Sequence, residues 1–105
     1  MTDFVLVLTT VPLTDRGTAI ARTLVEERLA ACVSALPPMT SVYRWQGDVT
    51  EDSEQQLIIK TTRSQVPALE RRVRELHPYD VPEFLVVEIS GGAGSYLDWI
   101  GDSVS

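Results

Sequence analysis

Thr40-Ser41-Val42-Tyr43-Arg44-Trp45-Gln46-Gly47-Asp48-Val49 decides the fold, because it writes a β-hairpin between two helical patterns. Val42 alternates against Tyr43 and Trp45, the β-branched and aromatic residues that suit a pleated surface, and Gln46-Gly47-Asp48 is a turn signal. The return arm is polar from Val49 to Gln56, becomes apolar at Leu57-Ile58-Ile59 and ends at Lys60-Thr61-Thr62. Upstream, Cys32-Val33-Ser34-Ala35-Leu36 opens the incoming strand, which Pro37-Pro38 interrupts.

Further out, Phe4 to Thr10 is a Val, Leu and Thr run suited to a buried first strand. Thr14 or Asp15 then caps a helix carried by Ile20, Leu24 and Leu29 with Ala21 and Ala31, to about residue 31. After the hairpin, Ser64 is the expected cap of a second helix. Pro67 is tolerated in its first turn, and Val66, Leu69, Val73 and Leu76 line one face. His77-Pro78 ends that helix, because proline pushes its predecessor out of the α region. Pro82 leads into a last strand, Glu83 to Ile89. Gly91-Gly92-Ala93-Gly94 then acts as a hinge into a short helix with Tyr96, Leu97, Trp99 and Ile100.

The order β-α-β-β-α-β predicts an α+β, ferredoxin-like antiparallel sheet with two helices on one face, in a single domain spanning residues 1–105. Chain direction then sorts the loops. The end of the first strand, the hairpin from Tyr43 to Asp48 and the loop His77 to Glu83 share one edge, while Cys32 and Lys60 share the other. Each hairpin arm, about 13 residues, reaches roughly 43 Å, whereas a helix of about 16 residues covers only about 24 Å. The ribbon outruns its helices, and its end carries Val42, Tyr43, Trp45 and Val49. Such a ribbon is marginal in water alone, so the sequence predicts a homo-oligomer with ribbons paired between copies.

Composition narrows the function. Nine Lys and Arg against fifteen Asp and Glu give a formal charge of −6, which disfavours nucleic acid and anionic membranes as partners. Arg71-Arg72-x-Arg74 is flanked by Glu70 and Glu75 at helical spacing and reads as a solvated, paired helix face. Cys32 is the lone cysteine, so no intrachain disulfide or thiolate zinc site is supported and a cytoplasmic setting fits best. The stretch from Met1 to Leu8 has neither the basic region of a signal peptide nor the length of a membrane span.

Ala30-Ala31-Cys32-Val33, Ser41-x-Tyr43-x-Trp45-x-Gly47, Glu54-x-x-Leu57-x-x-Lys60-Thr61, His77-Pro78-Tyr79-x-Val81-Pro82-Glu83 and Tyr96-Leu97-x-Trp99 together resemble the CutA divalent-ion-tolerance family. The resemblance covers nearly the whole chain. It implies a PII-like homotrimer whose long hairpins join neighbouring sheets, and a role in tolerance of copper and other divalent cations. No reaction and no required cofactor follow from it; a copper or zinc ion is the candidate ligand.

Three function classes compete. For metal binding, His77 is the strongest donor, with Glu83 or Asp80 supplying oxygen in a mixed N/O set acceptable to Cu(II) or Zn(II). The structural alternative makes His77 a helix cap. Cys32 could serve Cu(I), but only across subunits or as a separate site, and otherwise is a small buried side chain. In the second class, a PII-like sensor or scaffold, Tyr43, Trp45, Tyr79 and Glu83 line a cleft at the subunit boundary that takes a small ligand or an unknown protein partner. The same aromatics equally suit interface packing, and Lys60 at the far edge is an anion candidate or merely solvated. An enzyme is not expected, because the single His and the single Cys fall at opposite edges and no nucleophile–base pair can be assembled within a subunit; an acid/base pair of His77 and Glu83 across subunits is the one catalytic alternative, with no substrate identified.

Overall fold

The computed structural model describes residues 3–104; Met1, Thr2 and Ser105, which the N-terminal and domain readings include, lie outside the described residues. The elements are β1 (Phe4–Pro12), α1 (Asp15–Glu26), β2 (Cys32–Ala35), β3 (Met39–Trp45), β4 (Asp48–Thr62), α2 (Val66–Leu76), β5 (Leu85–Glu88) and α3 (Gly94–Ser103), with a 3₁₀ turn at Arg63–Gln65. The antiparallel sheet has the order β2-β4-β1-β5, and β3 pairs with the remaining half of β4. This is the expected ferredoxin-like arrangement.

Pro37-Pro38 divides the incoming arm completely, so one expected strand becomes two. β2 pairs Ala35 with Leu57, β3 restarts with Met39 opposite Glu54, and the Gln55 side chain donates to the Leu36 carbonyl across the break at 3.1 Å. The 15-residue β4 runs the full length of both, which gives the molecule a 44 Å long axis against 26 and 24 Å. The hairpin turn places Gln46 and Gly47 at φ +51° and +89°, the positive pair that a tight two-residue turn requires.

Alternation along β1 separates two faces. Val5, Val7 and Val11 turn inward and pack with Leu57 and Ile59 of β4, Ile20 and Leu24 of α1, and Leu69 and Val73 of α2. α1 sits close on β1: a Cβ at Gly17 would lie 2.7 Å from Val11 Cγ2. Leu6 and Leu8 fall on the opposite face, opposite Val87 and Leu85 of β5, which are 43% and 55% exposed. α3 covers one end of that face, where Phe4 and Leu97 pack on Ala31, Ile100 and Val104.

Thr14 caps α1, its hydroxyl accepting from the Arg16 amide at 3.1 Å. The helix ends at Glu26, five residues before the periodicity suggests. Arg28 turns left-handed at φ +62°, Leu29 N–H bonds the Leu24 carbonyl and Arg28 N–H the Val25 carbonyl, the paired bonds of a Schellman stop. Ser64 does not cap α2. It lies in the 3₁₀ turn, its hydroxyl 3.2 Å from that of Thr62, and Gln65 takes the cap position without a side-chain capping bond. The last strand begins at Leu85 rather than Glu83. Within the arginine cluster, Arg74 pairs with Glu70 as expected, whereas Arg72 forks across to both Glu27 carboxylate oxygens at 2.9 Å and ties α2 to the end of α1. No described helix is long and apolar enough to cross a membrane.

Candidate functional site

The stiff loop after α2 is anchored through His77. Its amide closes the helix on the Val73 carbonyl at 2.8 Å, but its ring turns away from α2 and lies 2.6 Å, through Nε2, from the Thr10 carbonyl at the end of β1. The Tyr79 amide donates to Nδ1 at 3.1 Å, so the ring proton sits on Nε2, which donates to Thr10. His77 is 7% exposed, and the Tyr79 ring packs on it at 4.7 Å between centroids. Both ring nitrogens are therefore committed. The ring ties α2 to β1 instead of bonding the carbonyls of its own helix.

Beside this anchor lies an open groove of about 560 Å³ between the hairpin and the loop. Tyr43 and Trp45 line it from β3, Asp52 and Glu54 from β4, and Tyr79 to Glu83 from the loop. Alternate β4 residues face this side and each holds a neighbour. Asp52 accepts from the Tyr43 hydroxyl, Glu54 from the Tyr79 hydroxyl at 2.9 Å, and Gln56 donates to Glu83 at 2.9 Å. Gln56 also donates to the Thr9 carbonyl at 2.9 Å, which fixes the amide between β1 and the loop.

The electrostatics follow from those contacts. Burial, then the hydrogen bond to Glu54, pushes the Tyr79 phenol well above its ordinary value. The bond to Asp52 raises the Tyr43 phenol in the same way. Both phenols thus keep their protons and act as donors. Among the described residues no Lys, Arg or His side chain lines the groove, and Glu54, although only 7% exposed, has a phenol rather than a cation on it.

Four expected cleft residues, Tyr43, Trp45, Tyr79 and Glu83, thus line one groove, with Asp80 among them. His77 stands behind it as an anchor. Cys32 is apart, opposite Lys60 in the β2–β4 ladder, its Sγ 3.8 Å from the Ser34 hydroxyl. Lys60 is not simply solvated: its ammonium donates to the Tyr96 hydroxyl at 3.2 Å, which raises its pKa. Among the described residues no three His, Cys, Asp or Glu side chains stand together as a metal-holding group. The donor set His77, Asp80 and Glu83 does not converge within one chain. Sequence reasoning missed Asp52, Glu54 and Gln56, whose signal is the period-2 polar spacing in an arm read only as polar.

A ferredoxin-like sheet with an overlong hairpin and two phenol–carboxylate pairs at its root places the chain among ferredoxin-like proteins with an extended hairpin. The chain belongs to the CutA1 divalent ion tolerance protein family, whose model matches residues 5–103. It is 52% identical to the divalent-cation tolerance protein CutA of Thermus thermophilus over 97 residues, 92% of this chain and 94% of that one. Over 99 residues it is 44% identical to the chloroplastic protein CutA of Arabidopsis thaliana, covering 94% of this chain but only 54% of the relative. The crystal structure of CutA from Xylella fastidiosa superimposes with a TM-score of 0.95 at 43% identity, covering 99% of this chain and all of that one, 100%.

Proposed function

We propose that the chain serves divalent-cation tolerance as a homotrimeric scaffold in the cytoplasm, with hairpins joining the copies and the groove at the hairpin root receiving a ligand. One observation carries this reading: the hairpin aromatics Tyr43 and Trp45 and the loop residues Tyr79 and Glu83 line a single groove, while His77 is spent on anchoring the loop. The apolar ribbon supports self-association, since Val42 and Val49 are 63% and 66% exposed. The groove binds and orients, with no catalytic step assigned to it.

Direct binding of Cu(II) or Zn(II) is the second reading. It draws on the family's name and on Asp52, Glu54, Asp80 and Glu83 along one groove, and it needs donors from a neighbouring copy to complete the coordination. Calorimetric titration of the wild type, His77→Ala, Cys32→Ala and Glu83→Gln separates the two. The scaffold reading expects no saturable binding tighter than about 10⁻⁵ M. Tight binding abolished by Glu83→Gln would replace it with the metal reading.

A further inference from the structure

We infer that the groove binds an organic ammonium ion, a cationic head on an aliphatic stem. The inference rests on the groove remaining open to ligand in the assembled protein, as proposed above.

The sign of the guest comes first. Asp52, Glu54, Asp80 and Glu83 line the groove and, among the described residues, no cationic side chain does, so a phosphate or carboxylate ligand meets net repulsion. Glu54 is the sharper observation. The residue is only 7% exposed, and the neutral phenol of Tyr79 is the hydrogen-bond partner of its carboxylate. A buried carboxylate without a counter-charge is costly, and a cationic guest supplies the missing charge.

The lining also selects the kind of cation. A bare divalent ion needs several oxygens converging on one point, and no such group stands together among the described residues. Tyr43, Trp45 and Tyr79 instead bring aromatic rings to the lining, which favour a weakly hydrated organic cation. Val81 and Pro82 provide apolar surface for a stem beside the charged head. At about 560 Å³ the groove has room for a small aliphatic diamine.

The test uses Trp45 as reporter in the full chain carrying Trp99→Phe, which removes the second tryptophan. 1,4-Diaminobutane, 1,4-butanediol and succinate are titrated at one ionic strength. The diamine is expected to give a saturable change in Trp45 emission while the diol and the diacid give none. Glu54→Gln and the exposed-loop variant Asp80→Asn are each expected to weaken diamine binding about tenfold or more, with unchanged circular dichroism. Equal responses to diamine and diol, or Asp80→Asn and Glu54→Gln proteins that fold and bind as wild type, would overturn the inference. Acrylamide quenching of Trp45 separates the two levels. Free quenching without diamine binding sinks the ligand class alone, and a shielded Trp45 in the assembled protein sinks the open groove as well.

Discussion

His77 Nε2 lies 2.6 Å from the carbonyl oxygen of Thr10, so the residue that ends α2 also clamps the end of β1. Removing the ring leaves a part-buried carbonyl and the Tyr79 amide without partners. His77→Ala is therefore expected to destabilise the fold by about 1–3 kcal/mol in urea denaturation. Cu(II) affinity, measured on the same variant, is expected to stay unchanged; loss of affinity with little loss of stability would return His77 to a ligand role.

Thr9 carries the opposite situation one residue earlier. Its side chain is fully buried at 0% exposure and its hydroxyl has no hydrogen-bond partner. Valine keeps the shape and removes the stranded polar atom, so Thr9→Val is expected to raise stability by about 1 kcal/mol. A stability equal to or below wild type would point to a bond that the hydroxyl makes in solution.

At the hairpin tip, Gln46 holds φ +51° before Gly47 at φ +89°. Asparagine tolerates that region better than glutamine, and Asn-Gly is the preferred pair for such a turn. Gln46→Asn is expected to stabilise by about 0.5 kcal/mol and Gly47→Ala to destabilise by about 1 kcal/mol, read as shifts in thermal midpoint.

Tyr79 gives the chain a dependence on high pH. Its phenol titrates above the ordinary value near 10 because burial and the Glu54 carboxylate disfavour the phenolate. The folded state therefore holds a proton that the unfolded state releases at about 10, and stability falls as pH rises beyond that point. Denaturation at pH 8 and pH 11 is expected to show a loss in wild type that is smaller in Tyr79→Phe. Absorbance at 295 nm is expected to show two phenols titrating late, Tyr43 and Tyr79, of which the later is absent from the variant.

The hairpin was legible because Val42, Tyr43, Trp45 and Gly47 each obey a local rule of strand or turn. The edges were legible because chain direction alone puts His77 near the end of β1 and Cys32 on one edge with Lys60; the ladder adds that the two are direct partners. The end of α1 was hidden, since Arg28 occupies a left-handed position that glycine usually marks. The carboxylate partners of the two phenols were hidden too. Only the folded hydrogen bonds show that Asp52 and Glu54 reach Tyr43 and Tyr79, and a polar strand reads the same whether solvated or lining a groove.

Sedimentation equilibrium of the full chain at micromolar concentration tests the central claim most directly, because the groove scaffold depends on hairpins covered by other copies. The account predicts a single species of about three times the 11.6 kDa chain mass, dissociating when Val42 and Val49 are replaced together by Asp. A stable 11.6 kDa monomer would contradict it.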